Sequence, residues 1–175
     1  MNSAVTFRQQ GYTLIELLLY ISIVGVLLGT VSVFFGTSTE ARVKNQSIAE
    51  VDQQGEATME YILQTIRNAN SITTPATGAT GNSLTLVVPT GALSPTIFDL
   101  SGASPNALRV KEGAAAAIPL TNSKVTVTAL SIKNLSRAST PGTVQVTLTL
   151  SRVNNLNRNE YDYSRTFIGT ASLRP

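Results

Sequence analysis

Apolar residues along the chain follow three successive patterns. From residue 12 to residue 36 the run is uniformly apolar and is broken by a single charge, Glu16. Residues 17–36 carry no charge at all, and at about 1.5 Å per residue they give roughly 30 Å of helix, the thickness of a bilayer core. This stretch predicts a membrane-spanning helix. Beyond Gly36 the pattern turns amphipathic. Ile48, Val51, Gly55, Met59, Ile62, Ile66 and Ala69 recur at steps of three or four, while Glu50, Asp52, Gln53, Gln54, Glu56, Glu60, Gln64 and Arg67 take other faces. The helix therefore continues with one stripe aimed at a core. Asn68, Asn70, Ser71, Pro75 and Gly78 are stop signals that end it near Asn70.

From Ser83 the period falls to two. Leu84, Leu86 and Val88 alternate with Thr85 and Val87, and Val144, Val146, Leu148 and Leu150 alternate with Gln145, Thr147 and Thr149, the cleanest strand in the chain. Val125, Val127 and Ala129 alternate with threonines before the apolar parity moves to Leu130 and Ile132, as at a bulge or a strand end. Residues 96–100, 108–111 and 163–173 are further strands. The clusters at 91–95, 101–106 and 139–142 read as turns, and the alanines at 114–117 as a loop or tight packing spot. The expected fold is α+β: one long N-terminal helix, half apolar and half amphipathic, packed on a C-terminal antiparallel β-rich head. The expected division is residues 1–11, 12–36, 37–70 and 71–175. Neither the strand order nor the number of sheets can be read from these patterns.

Composition removes whole classes of chemistry. The chain has no cysteine, so no disulfide or thiolate metal site supports the fold, and no histidine, which excludes imidazole bases and Ser-His or Cys-His nucleophiles. Asp99, Glu112, Glu160 and Asp162 are the acids beyond the helix, and no pair of them has a recognisable catalytic context. No catalytic, metal or cofactor site is expected. The net charge of +3 is too small for a dedicated nucleic-acid binder. From Ser101 onward, however, nine Lys/Arg face three acids, so the distal half is basic. Lys111, Lys124, Lys133, Arg137, Arg152, Arg158, Arg165 and Arg174 would form a phosphate-binding surface for DNA if they shared one face; a merely solvated surface is the plainer account. Tyr161, Tyr163 and Phe167 are candidates to stack on bases or to fill the core; they alternate with Asp162, Ser164 and Thr166, so one side of a strand is the simpler account.

No small-residue cleavage site of the A-x-A type closes the apolar run, which is also longer than a secretory signal core. An uncleaved signal anchor is one reading. The run begins instead with Gly11-Tyr12-Thr13-Leu14-Ile15-Glu16-Leu17-Leu18, and this resembles the cleavage and methylation signature of type IV prepilins and type II secretion pseudopilins. The resemblance implies that residues 1–11, polar with one basic residue (Arg8), are a cytoplasmic leader cut after Gly11 by a prepilin peptidase, which then methylates the amine of Tyr12. It implies that Glu16 pairs with the Tyr12 amine of a neighbouring subunit and sets register; reaching headgroups near the helix start is the alternative for Glu16. Gly25 and Gly29 form a G-x-x-x-G that permits close helix packing, or only weakens the helix locally. Val31-Ser32-Val33 lacks the proline of many major pilins, and 59–69 is similar to J-type minor pseudopilins and related minor pilins. The implied partners are other pilins, an assembly platform with its ATPase, and membrane lipid before assembly. The implied location is the cytoplasmic membrane with the head outside, then a filament.

Overall fold

The computed structural model describes residues 11–138 and 141–174; most of the expected leader, including Arg8, and part of the 139–142 turn lie outside them. The first element is a 55-residue helix, α1, over Leu14–Asn68. It contains no proline, and Arg67 in its last turn complements the negative end of the helix dipole. The chain divides into two compact units after Arg42, and α1 contributes to both.

In the first unit every large apolar side chain of α1 is exposed: Leu14 is 79% and Phe34 is 68% accessible. A helix apolar all round with nothing packed on it calls for a lipid or protein environment. Its hydroxyls are already satisfied internally. Ser22 Oγ donates to Leu18 O at 2.8 Å, Thr30 Oγ1 to Leu27 O at 2.8 Å and Ser32 Oγ to Leu28 O at 2.8 Å. None of the three brings an unpaired donor into an apolar surrounding.

In the second unit, Val51, Gly55, Met59, Ile62 and Ile66 are buried as the stripe predicts, joined by Ser47 and Thr58; Ile48 is only half-buried. The helix ends at Asn68, and Ala69, just past it, is buried. Among the described residues nine strands follow: β1 (Ser71–Thr74), β2 (Thr80–Gly81), β3 (Leu84–Val87), β4 (Thr96–Leu100), β5 (Leu108–Glu112), β6 (Ile118–Pro119), β7 (Val125–Asn134), β8 (Thr143–Arg152) and β9 (Ser164–Ser172). They form two antiparallel sheets, of order β1-β3-β4-β5-β6 and β2-β7-β8-β9.

Both sheets turn an apolar face to one core shared with α1. Register puts Phe98 opposite Leu84 and Val110 in the first sheet, and Leu148 opposite Leu130 and Phe167 in the second. Tyr61 meets Phe98 edge-on at 6.0 Å, tying α1 to the first sheet. Gly55 ties it to the second. A Cβ on Gly55 would lie 2.1 Å from the Phe167 ring, so this position is glycine because the ring occupies the side-chain space. Gly55→Val should therefore overpack the core and lower stability by about 2 kcal/mol, read from chemical denaturation of the detergent-solubilised chain. Gly113, at φ +53°, begins the turn holding the alanines of 114–117, and a Cβ there would strike Ala92 O at 2.2 Å.

The parity change after Val127 is a bulge, and β7 runs on through it to Asn134. Tyr161 departs from the alternation expected of it. It closes a 3-10 turn over Asn159–Tyr161, and β9 begins only at Ser164, so Tyr161, Tyr163 and Phe167 do not form one side of a strand. The helical turn breaks the period of two before the strand starts. Tyr161 instead receives the guanidinium groups of Arg152 and Arg158 on its ring, at 5.7 and 5.8 Å.

Polar residues of α1 assigned to other faces also dock the head. Asn122 binds Glu50 through its side chain and Gln54 through its backbone N–H, Arg165 reaches Asp52 at 2.8 Å, and Lys44 donates to the carbonyls of Asn159 and Asp162. The Tyr61 hydroxyl donates to Glu112 at 3.1 Å. Burial first, and then Glu112, raises its pKa above the ordinary 10.0. A raised folded value means that this contribution is intact below about pH 10 and is lost as pH rises through the folded pKa. Tyr61→Phe should flatten the fall in urea midpoint that sets in above about pH 10.

Candidate processing and assembly site

Gly11 is exposed, lies outside any regular element, and has no atom within 4 Å of the place a Cβ would take. A peptidase needs backbone that is sterically open in this way. Tyr12, 77% exposed, follows it, and α1 starts two residues later. The start is fixed by Thr13. Its carbonyl accepts from Leu17 N at 3.2 Å and its Oγ1 from Glu16 N at 3.3 Å, an N-cap that satisfies a donor the helix leaves open. Thr13 and Glu16 have the T-x-x-E spacing of a capping box, a signal already present in the sequence.

Glu16 therefore sits in the first turn, where the helix dipole favours a negative charge. Tyr20 Oη donates to its Oε1 at 3.3 Å, and the Tyr20 ring meets the Tyr12 ring edge-on at 6.5 Å. Tyr12, Glu16 and Tyr20 thus share one face at a spacing of four. The carboxylate keeps acceptor capacity for a further donor, and no cation of the described residues bonds to it. Gly25 and Gly29 leave open space around the positions their Cβ atoms would take. Among the described residues, Leu14–Asn68 is the one helix long and apolar enough to cross a membrane.

The basic residues of the head do not gather on one face. Lys133 and Arg165 point to opposite faces of the four-stranded sheet, and Lys111 belongs to the other sheet. Several are engaged by carboxylates: Lys124 by Glu50 at 3.8 Å, Arg165 by Asp52, and Arg158 by Glu160. Three of the acids beyond the helix serve as structural partners too. Asp99 holds Arg109 through two bonds of 2.9 Å, Glu112 accepts from Tyr61, and the bond from Arg158, after the backbone, holds the Glu160 carboxyl below its usual range.

Residues 6–32 match the family described as the prokaryotic N-terminal methylation motif. No curated protein and no solved structure matches the chain. The chain thus carries the prepilin methylation motif of type IV pilins and pseudopilins, and its architecture, a long N-terminal helix followed by antiparallel sheets packed on that helix, is pilin-like. Subunits of that family are structural rather than catalytic.

Proposed function

We propose that this chain is a minor pilin or pseudopilin subunit, cut after Gly11, methylated at Tyr12, and drawn from the cytoplasmic membrane into a type IV pilus-like or type II secretion filament. The observation that carries this reading is a lone carboxylate whose residue is capped through its backbone N–H by Thr13 and whose side chain turns along the Tyr12 face, at the start of an exposed apolar helix that matches the methylation motif. Residues 12–36 serve twice in this account. They first span the bilayer with the head outside, and then pack among the corresponding helices of other subunits, with Gly25 and Gly29 admitting close approach.

Glu16 supplies register. A carboxylate in an apolar surrounding costs on the order of 3 kcal/mol, and the methylated amine of a neighbouring subunit, one donor-rich cation, removes that cost when the two meet. The missing mid-helix proline and the likeness of 59–69 to J-type pseudopilins favour a minor role at initiation or at the tip. An assembly ATPase and its platform protein supply the extraction. Producing the full chain in a cell with a functioning filament system and shearing the surface tests this: the chain should appear at low stoichiometry in the filament fraction. Processed protein confined to membranes, while the major subunit still shears off, would contradict the reading.

A further inference from the structure

The four-stranded sheet ends on β9, nine residues long and paired on one side by β8. In an antiparallel ladder alternate residues direct their N–H and C=O to opposite edges. Arg152 N donates to Tyr163 O at 2.9 Å and Leu173 N to Gly142 O at 2.7 Å, which fixes the phase: Arg165, Phe167, Gly169 and Ala171 face β8. Thr166, Ile168 and Thr170 therefore direct their backbone groups outward, and no described group meets them. Such edges are normally blunted by charge, proline or a bulge. Residues 166–172 contain none of these, and Ile168 is 66% exposed.

This edge borders a groove of about 510 Å³ between β9 and α1, floored by Met59, Leu63 and Phe167. Glu56 and Glu60 line its helical wall; of the cations present, Arg165 is held by Asp52 and also feels the charge of Glu56, and Arg67 lies at the far end, so Glu60 is the acid with no basic side chain bonded to it among the described residues. There Arg174 N donates to Arg67 O at 3.2 Å. Asp52 contacts Arg165, Gly55 abuts Phe167, and Met59 and Leu63 abut Gly169, so β9 runs in the same direction as α1.

We infer that the outer edge of β9 is a strand-addition site for an extended segment of another protein, apolar at alternate positions and carrying a Lys or Arg that meets Glu56 and Glu60. Backbone bonds to Thr166, Ile168 and Thr170 supply affinity, and the groove beside them reads side chains. A second copy of this chain does not fit. Antiparallel pairing of two β9 edges would run the two copies' 43–68 helical segments in opposite directions, whereas subunits leaving one membrane share a direction. The site rests on the head and does not require filament assembly; only the exclusion of a second copy rests on the membrane origin proposed above.

The test uses the full chain in detergent and two labelled nonapeptides alternating valine with threonine, one with a central lysine and one with a central glutamate, followed by fluorescence anisotropy. The lysine peptide should bind saturably, and the glutamate peptide roughly tenfold more weakly because like charges then face each other. Thr170→Pro should abolish binding without changing the thermal midpoint, since proline is tolerated where the N–H faces away from the ladder. The Glu56→Lys/Glu60→Lys double variant, on the exposed helix wall, should reverse the peptide preference whether or not the proline variant folds. Absence of saturable binding, equal binding of both peptides to wild type and double variant, or full binding by folded Thr170→Pro would overturn the inference. A dimer of the chain abolished by Ile168→Lys would overturn the choice of partner.

Discussion

Glu16→Gln should leave the chain membrane-bound and processed, yet reduce its incorporation into sheared filaments by about a hundredfold or more. Removing one member of a buried ion pair costs about 3–5 kcal/mol because the other charge is left uncompensated, and each 1.4 kcal/mol is about a factor of ten. The amide keeps the size of the side chain and its acceptor for Tyr20, so packing is nearly unchanged and the charge alone is tested. Membrane insertion should not suffer, since removing a carboxylate from an apolar helix favours the bilayer. The competing explanation is local: Glu16 N–H is capped by Thr13, and a frayed first turn would also disturb assembly. Thr13→Ala separates the two. It removes a cap that contributes about 1 kcal/mol and leaves the carboxylate in place, so its filament yield should fall only modestly. Quantitative immunoblots of sheared and membrane fractions measure both variants.

The head should respond most strongly to Phe98→Ala. Phe98 is fully buried, sits between Leu84 and Val110 in register, and carries the edge-on contact with Tyr61. Truncating a buried phenylalanine costs about 3–5 kcal/mol, a large share of the roughly 5–15 kcal/mol by which domains are stable. The thermal midpoint should fall by about 10 °C or more, by differential scanning fluorimetry of the solubilised chain. Phe34→Ala removes the same atoms from a ring that is 68% exposed, and should leave the midpoint of the head where it was. An equal effect of the two changes would mean that Phe98 is not a core residue.

The long strands were legible because their faces differ. Residues 144–150 and 125–132 alternate over enough positions for the period, and even for the bulge, to show, and all the longer strands follow. β2 and β6, at two residues each, cannot display a period. β1, Ser71–Thr74, is polar apart from Ile72 and half-exposed, so it reads as the end of the helix, though it borders β3. The division into two sheets depends on pairing between distant segments, which local pattern does not encode.

The polar anchors were hidden for a different reason. A buried asparagine looks like any turn former in sequence. Asn134 donates to Pro75 O at 2.8 Å and accepts from Ser136 N at 3.0 Å, and Asn106 joins Ser101, Gly102 and Thr126. Likewise Glu50, Asp52 and Gln54 fall off the apolar stripe and read as solvated, yet they meet Asn122, Arg165 and Tyr163. At the N-terminus the balance is reversed. The motif from Gly11 to Leu18 is contiguous, so its residues could be named at once, and the T-x-x-E spacing of Thr13 and Glu16 within it agrees with the hydrogen bond they make.

The central claim is that Gly11 and Tyr12 flank a processing site, and intact mass with N-terminal sequencing of the chain coproduced with a prepilin peptidase tests it most directly. The account predicts a mature chain beginning at methylated Tyr12, and a full-length chain for Gly11→Ala. Full-length wild type beside a known prepilin that is cut in the same cells would contradict it.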